Sequence, residues 1–135
     1  MYVVPISRLE QAQQSIEAVG ITLSGVEELH AKVLAHNAAH PTDLIVKTCD
    51  IATKIVRGET SSLRKGHQAY VELAGGRHRG TPTYFVSHTW IAPAIALLES
   101  VLVHGHGIVA GGGERPVYYL DVASVDQHET DQVSA

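Results

Sequence analysis

The sequence has 135 residues and a mass of 14.5 kDa, which suits one domain or part of a larger one. Its composition, 44% hydrophobic and 18% charged, is compatible with a buried core and argues against a disordered chain. The formal net charge of −4 argues against a dedicated nucleic-acid-binding protein, and no apolar run approaches the roughly 20 residues that span a bilayer.

The histidine and cysteine contents limit the chemistry further. Cys49 is the only cysteine, which excludes an internal disulfide and any metal site built from several cysteines. The first ten residues lack the basic and long apolar segments of a secretory signal, so we expect a cytoplasmic protein. The nine histidines are interpreted mainly as composition, with a pH-sensing role as the alternative.

Residues 1–80 are predicted to form a helical lead-in region. Apolar residues recur there at helical spacing, and Ser7 and Ser24 each precede a glutamate by three residues, which is the pattern of a capping box. The predicted helices cover residues 6–19, 24–40, 42–58 and 62–74. The polar, glycine-rich segment 75–80 is the predicted boundary of this region.

Residues 81–135 are predicted to form a strand, a helix and a second strand. This part holds five of the seven aromatic residues and carries six acidic side chains against one basic side chain. The predicted elements are a strand at 83–87, a helix at 90–104, a flexible loop at 105–113 and a strand at 116–122. Both strands are almost continuously apolar, as in a parallel sheet covered on both faces. We therefore predict an α/β fold, in which N-terminal helices precede a right-handed βαβ unit of a parallel, Rossmann-like (flavodoxin-like) sheet.

A candidate site follows from that arrangement, because ligands of open parallel sheets bind beyond the carboxyl ends of the strands. The first strand is followed by Ser87, His88 and Trp90, and the second by Asp121, Ser124, Asp126, Gln127 and His128. If the strands are neighbours, these side chains share one edge of the sheet. The alternative is purely structural: Ser87 and Thr89 cap the helix, Trp90 packs beneath it, and Asp121 holds a loop.

Three more specific motifs, for a nucleophile, a dinucleotide and a zinc ion, are not met by this sequence. Ser87 and His88 are adjacent on a strand and face opposite ways, so they are not a nucleophile and its base. The glycines of 105–113 follow a helix and precede a strand, which is the reverse of a dinucleotide-binding loop. His104 and His106 have no third ligand at a fixed spacing, so they do not define a zinc site.

Two phrases of the sequence resemble known domains. Tyr84-Phe85-Val86-Ser87-His88-Thr89-Trp90 resembles the opening strand of TIR-like domains. Tyr118-Tyr119-Leu120-Asp121, followed by Asp126-Gln127-His128, resembles their second strand and a phrase of fungal heterokaryon-incompatibility domains. Uncharacterised algal and protist proteins are similar to both phrases, and the resemblance covers roughly residues 42–129. The family phrase usually has asparagine where Asp126 stands, and the glutamate of the NAD-cleaving members has no counterpart in this chain.

The resemblance implies a TIR-like interaction or signalling module without complete catalytic machinery. It implies self-association, or binding to a related α/β domain, through the sheet edge, and a free edge on the second strand would invite that pairing. The alternative is an NAD- or nucleotide-cleaving hydrolase, completed by a partner or by sequence beyond residue 135. In that case Trp90 would stack on a base, Asp121 would bind ribose, and His88 or His128 would act as acid or base. Ser87, Asp126 and Gln127 would contact the ligand. No metal, bound cofactor, nucleic acid or membrane is expected.

Overall fold

The computed structural model describes residues 2–8, 19–56, 70 and 77–121. Five strands lie in these ranges: β1 (Tyr2–Pro5), β2 (Gly20–Thr22), β3 (Arg79–Gly80), β4 (Tyr84–Ser87) and β5 (Val117–Tyr119). The three α-helices are α1 (Leu23–Ala39), α2 (Thr48–Ile51) and α3 (Ala94–Ala110). A 3-10 turn (Ile6–Arg8) follows β1, and a π-helical turn (Ala52–Val56) follows α2. None of the described helices is long and apolar enough to cross a membrane.

The five strands form one mixed sheet in the order β1-β4-β5-β2-β3. Only β4 and β5 pair in parallel, and α3 connects them. The other three pairings, β1 with β4, β5 with β2 and β2 with β3, are antiparallel.

The prediction of a parallel, Rossmann-like sheet is therefore wrong. Neighbouring β4 and β5 do run in parallel, but β1 flanks them on one side and β2 on the other, both antiparallel. The sequence pattern predicts no strand before residue 80, because β1 is followed directly by a capping signal and β2 is only three residues long. The division of the chain at residue 80 stays a prediction, although strands from both parts share the sheet.

The hydrophobic core lies between one face of this sheet and the helices. Alternate strand residues face the helices, and the buried ones include Ile21, Val86 and Tyr118. The helices contribute Leu23, Val26, Leu29 and Val33 from α1 and Leu97, Leu98 and Val101 from α3. Val4, Phe85, Val117 and Tyr119 lie on the opposite face by the same alternation and are half-buried.

The predicted helix over residues 24–40 is confirmed as α1, with Thr22 rather than Ser24 as its N-cap, since Thr22 Oγ1 accepts the amide of Gly25. The predicted helix 42–58 is shorter than expected, because residues 42–47 form a turn and an irregular segment and α2 begins only at Thr48. The predicted loop 105–113 is wrong over residues 105–110, which are the last residues of α3. The helix ends at Ala110, and Gly112 shortly after it has a positive φ of 86°. Of the predicted helix 6–19, residues 9–18 lie outside the described part of the chain, as does nearly all of 62–74.

Candidate functional site

The carboxyl ends of β4 and β5 lie side by side, as the candidate site requires. Tyr84 pairs with Tyr118 and Phe85 with Tyr119. Ser87 ends β4 and Asp121 lies two residues beyond the end of β5, so both follow the carboxyl ends of neighbouring parallel strands. Both residues are half-buried. We call Ser87, His88, Trp90 and Asp121 the carboxyl-end rim.

His88 is the titratable base on this rim. Its Nδ1 lies 3.3 Å from the carbonyl oxygen of Thr89, so an Nδ1–H tautomer would donate there. Its Nε2 is buried without a hydrogen-bond partner among the described residues. The imidazole meets the indole of Trp90 edge-on, with ring centroids 5.6 Å apart. This contact orients both rings, because aromatic pairs favour edge-to-face geometry.

The backbone around Trp90 is hydrogen-bonded to the first residues of α2 and to Val46 just before it. The amide of Cys49 donates to the carbonyl of Trp90 at 2.9 Å, and the amide of Thr48 donates to that of Ala92 at 2.7 Å. Thr48 Oγ1 donates to the same Ala92 oxygen at 2.8 Å, and Thr48 is fully buried. The amide of Ala94 donates to Val46 at 2.8 Å. These bonds fix the two segments against each other.

Three apolar side chains are exposed on this framework. Val46 is 59% exposed, Ile91 73% and Trp90 37%. We call these three residues the apolar platform. Large contiguous apolar patches mark interaction surfaces, whereas single exposed apolar residues are ordinary on a protein surface.

Asp121, the acidic residue of the rim, lies close to Tyr119 on the half-buried face of the sheet. Phe85 stacks on Tyr119 with ring centroids 5.8 Å apart and planes 10° from parallel. Burial raises the pKa of the Tyr119 phenol, and the nearby charge of Asp121 raises it further. Asp121 therefore lies beside an aromatic pair that stays neutral.

The structure describes only part of the predicted site. Ser87, His88, Trp90 and Asp121 share the carboxyl-end rim, while Asp126, Gln127 and His128 lie outside the described residues. Within the described ranges, no group of three histidine, cysteine or acidic side chains could hold a metal ion. The rim can accept or donate hydrogen bonds and offer an aromatic surface, and it carries one imidazole and one carboxylate.

A cavity of about 360 Å³, which we call the edge cavity, lies at the other end of β4. Pro5, Ile6 and Ser7 line it on one side, and Pro82, Thr83 and Tyr84 on the other. Ile6 N–H donates to the Thr83 carbonyl at 3.0 Å, which holds the two walls together. Sequence reasoning missed this cavity, and the two prolines that flank short extended segments are its only signal.

The outer edge of β1 is a further candidate surface. Pro5 has no N–H, so its pairing with Tyr84 must be a pair without mutual hydrogen bonds, and Val4 and Ile6 then face β4. The N–H and C=O of Val3 consequently point away from the sheet, together with the C=O of Pro5. None of the described strands covers that side of β1.

His104 has a structural role that the sequence did not reveal. Its Nδ1 lies 2.8 Å from the hydroxyl of the fully buried Tyr118, and its ring meets that of Tyr84 edge-on at 4.7 Å. Burial lowers the pKa of His104 and raises that of Tyr118, so both stay neutral. His106 lies on the exposed side of α3, 3.9 Å from Glu27, so the two histidines do not converge.

A charged cluster joins α1 to the segment before β3. Arg77 donates two hydrogen bonds to Glu28 at 3.0 and 2.9 Å, His78 contacts the same carboxylate, and Lys32 lies 3.3 Å away. The Arg77 guanidinium is the main cause that lowers the pKa of Glu28 to about 2. This cluster fixes the chain that leads into β3.

Comparison with known proteins gives no family assignment. No protein-family model matches the sequence, and neither the curated proteins nor the solved structures include a match. The resemblance to TIR-like and heterokaryon-incompatibility domains stays a prediction, so function is argued from the geometry of the chain.

Proposed function

We propose that this chain is a protein-interaction module that associates with a second copy of itself through the outer edge of β1. The observation that carries this proposal is the outward N–H and C=O of Val3 on a strand without charged residues. Soluble proteins usually protect such an edge with charges, short strands or proline. β1 contains Pro5 and has only four residues, but it carries no charged side chain.

The two edges of the described sheet differ in this respect. β3 has two residues, Arg79 and Gly80, and the arginine is exposed. A short, charged strand is a poor template for pairing. β5, whose edge was expected to be free, lies between β4 and β2. We therefore assign the proposed sheet-edge association to β1 rather than to β5.

Pro5 determines the register of this pairing rather than preventing it. Two antiparallel β1 strands form a reciprocal pair of hydrogen bonds only where each contributes an outward N–H and C=O. Val3 meets that condition, and Pro5 does not because it has no N–H. We place the two-fold axis between Val3 and its counterpart in the second copy, where the reciprocal pair forms, and the contact is then isologous.

Sedimentation of the purified chain over a wide concentration range tests this proposal. We expect a reversible monomer–dimer equilibrium. Val3→Pro removes the outward donor and leaves the hydrogen bonds to β4 in place, so it should abolish dimerisation. Val3→Thr keeps the amide and the side-chain shape, and it should still dimerise. A chain that stays folded and monomeric at all concentrations would refute the proposal.

The nucleotide-cleaving alternative has one observation in its favour, the contact between His88 and the exposed ring of Trp90 on the same rim as Asp121. In that case Trp90 would stack on a base and His88 would transfer a proton. Incubation with NAD, followed by measurement of nicotinamide, tests it. Release that is lost in His88→Gln would support this alternative, and no release at any protein concentration would remove it.

A further inference from the structure

We infer that two β1-paired dimers stack on each other through the outer faces of their α3 helices, which pack antiparallel, and form a tetramer. This inference rests on the proposed function and adds a second contact to it. The contact gives a partner, a second copy of the same dimer, to an exposed helix face that carries almost no charge.

The outer face of α3 is unusual for a helix surface in contact with water. Glu99 is the only charged residue among the 17 residues of the helix. Surface helices normally bury one apolar face and carry charged side chains on the other, whereas a helix that is apolar all round is normally buried. Leu98 and Val101 fill the inner face, yet Val103 on the outside is 74% exposed. α3 therefore has a second apolar face, which the described part of the chain leaves open.

The uncharged residues of this outer face have the spacing of a helix-pairing surface. They follow one another in alternating steps of four and three residues, which is the a/d pattern of paired helices. We call them the outer seam, and all are exposed: Ala96, Ser100, Val103, Gly107 and Ala110. Four of the five are small, so the axes of two helices can approach closely. A cavity of about 150 Å³ beside Ala96 and Ser100 leaves room for side chains of a facing helix.

The charges beside the outer seam select an antiparallel pair. Glu99 and His106 are two turns apart and therefore flank the seam on the same side. A parallel pair would set Glu99 against its own copy, which is a contact between like charges. An antiparallel pair with Ser100 opposite Val103 instead brings Glu99 to within about 3 Å, along the helix axis, of the level of His106 in the other copy. The imidazole can then donate to the carboxylate, and the pair occurs twice in each contact.

Both flanking side chains are accessible to another copy. Glu99 lies 3.4 Å from His30, and His106 lies 3.9 Å from Glu27, so each already faces a residue of α1. These contacts leave the side chains of Glu99 and His106 more than half exposed. An antiparallel pair of α3 helices would extend the two contacts into one network of opposite charges.

Pairing through β1 turns two outer seams to the same side. Residues opposite each other in an antiparallel strand pair project from the same face, so each face of the joined sheet is continuous. Val3 packs against the core on the helix side of β1, and its counterpart in the second copy faces the same way. Two dimers stacked helices to helices therefore form both α3 contacts together, which gives a closed tetramer with three two-fold axes.

The area of the outer seam explains why two contacts are needed. A face of 17 helical residues measures about 25 by 10 Å, or about 250 Å². Stable interfaces bury about 800 Å² on each partner. Two seams, together with the exposed residues of the adjacent α1 (Ala31, Leu34, Ala35 and Ala38), bring a dimer closer to that value. A single contact between monomers stays well below it, so stacking depends on the dimer.

Sedimentation above the concentration at which the dimer is complete tests this contact. We expect a second, reversible step from dimer to tetramer. Val103→Glu buries an unpaired carboxylate at the contact, so it should raise the dissociation constant of this step about tenfold or more and leave the dimer unchanged. Val109→Glu is the matched control, since Val109 is 37% exposed and lies about 120° around α3 from Val103. It should change neither step.

An exchange of charges tests the antiparallel arrangement. Glu99→Lys and His106→Glu should each weaken the tetramer about fivefold, because each places like charges opposite each other. The double variant restores opposite charges and should recover most of the native affinity. Recovery is not expected from a parallel pair, in which each of these residues faces its own copy.

The outcomes separate the two contacts. A dimer that never proceeds to a tetramer, a tetramer that Val103→Glu leaves intact, or a double variant without recovery would overturn the antiparallel α3 contact and leave the pairing of β1 standing. Association that Val103→Glu abolishes and Val3→Pro does not would overturn the pairing of β1 and leave the α3 contact standing. Absence of any association would overturn both.

Discussion

The Tyr118 hydroxyl lies 2.8 Å from Nδ1 of His104. This hydrogen bond joins β5, at the centre of the sheet, to α3. Tyr118 is fully buried, so its hydroxyl has lost its water and depends on this partner. The bond fixes the rotation of α3 relative to β5. The loop that carries Trp90 enters the same helix from β4 and is held separately by the amides of Thr48 and Cys49.

Removal of this hydroxyl should destabilise the fold. We expect Tyr118→Phe to lower the free energy of unfolding by about 1 kcal/mol, the net value of a buried hydrogen bond. Tyr119→Phe, on the opposite face of the sheet, does not touch His104 and should cost less. Urea unfolding of both variants measures the difference. Equal losses would show that the bond contributes nothing specific.

Two glycines of α3 should respond in opposite directions to the same substitution. A Cβ on Gly105 would lie 2.5 Å from Leu23 Cδ1 and 2.9 Å from the Tyr118 hydroxyl, whereas a Cβ on Gly107 meets nothing within 4 Å. Gly105→Ala should therefore destabilise by about 1–3 kcal/mol through overpacking. Gly107→Ala should stabilise by about 0.5–1 kcal/mol because alanine favours the helix. Thermal unfolding compares them, and a stable Gly105→Ala variant would contradict the packing of α3 against β5.

Acid should weaken the link between α1 and the segment before β3. The pKa of Glu28 is about 2 in the folded chain and 4.5 in the unfolded chain, so the unfolded chain binds the proton first as pH falls. The stabilisation is fully present above pH 4.5 and is lost between pH 4.5 and about 2. It amounts to roughly 1–2 kcal/mol after allowance for solvent screening, since Glu28 is partly exposed.

Glu28→Gln is the direct comparison for this effect. The variant should be less stable than the native chain at neutral pH, and the difference should shrink as pH falls through that window. Glu114→Gln, which alters an exposed carboxylate before β5, serves as the control and should show no such trend. A Glu28→Gln difference that is independent of pH would mean that Arg77 does not bind the carboxylate in solution.

A charge on β1 should prevent association without unfolding the chain. Val4 lies on the half-buried face of β1, and lysine on an edge strand opposes pairing with another chain. We expect Val4→Lys to raise the dimer dissociation constant about tenfold. Thr81→Lys adds the same charge at an exposed site between β3 and β4 and should leave it unchanged. Light scattering coupled to gel filtration provides the comparison.

The sequence predicted the elements that carry strong local signals. Helical spacing and a terminating proline indicated α1 to within one residue at each end, and the β-branched and aromatic runs located β4 and β5. The loop predicted over residues 105–110 was wrong because glycine disfavours a helix when its surroundings are ignored. In the folded chain Gly105 is needed within α3, where the helix packs closely against Leu23 and Tyr118.

The sheet topology depends on features that local patterns do not encode. β2 and β3 have three and two residues, too few for a periodic signal, and each exists because a neighbouring strand accepts its hydrogen bonds. Their antiparallel pairing, and that of β1, makes the sheet mixed rather than parallel. The parallel pairing of β4 and β5 agrees with the strand–helix–strand pattern, and a shared site of Ser87 and Asp121 stays a prediction. The edge cavity joins residues about 75 positions apart in the chain, which no spacing rule anticipates.

Hydrogen exchange at the amide of Val3 tests the central claim most directly. In the monomer this N–H points away from the sheet and exchanges with water, while in the dimer it donates to the second copy. We expect its protection to rise with protein concentration in proportion to the dimer fraction, and the amide of Val4, which faces β4, to be protected at every concentration. A Val3 amide that stays unprotected in solutions where sedimentation shows a dimer would contradict pairing through β1.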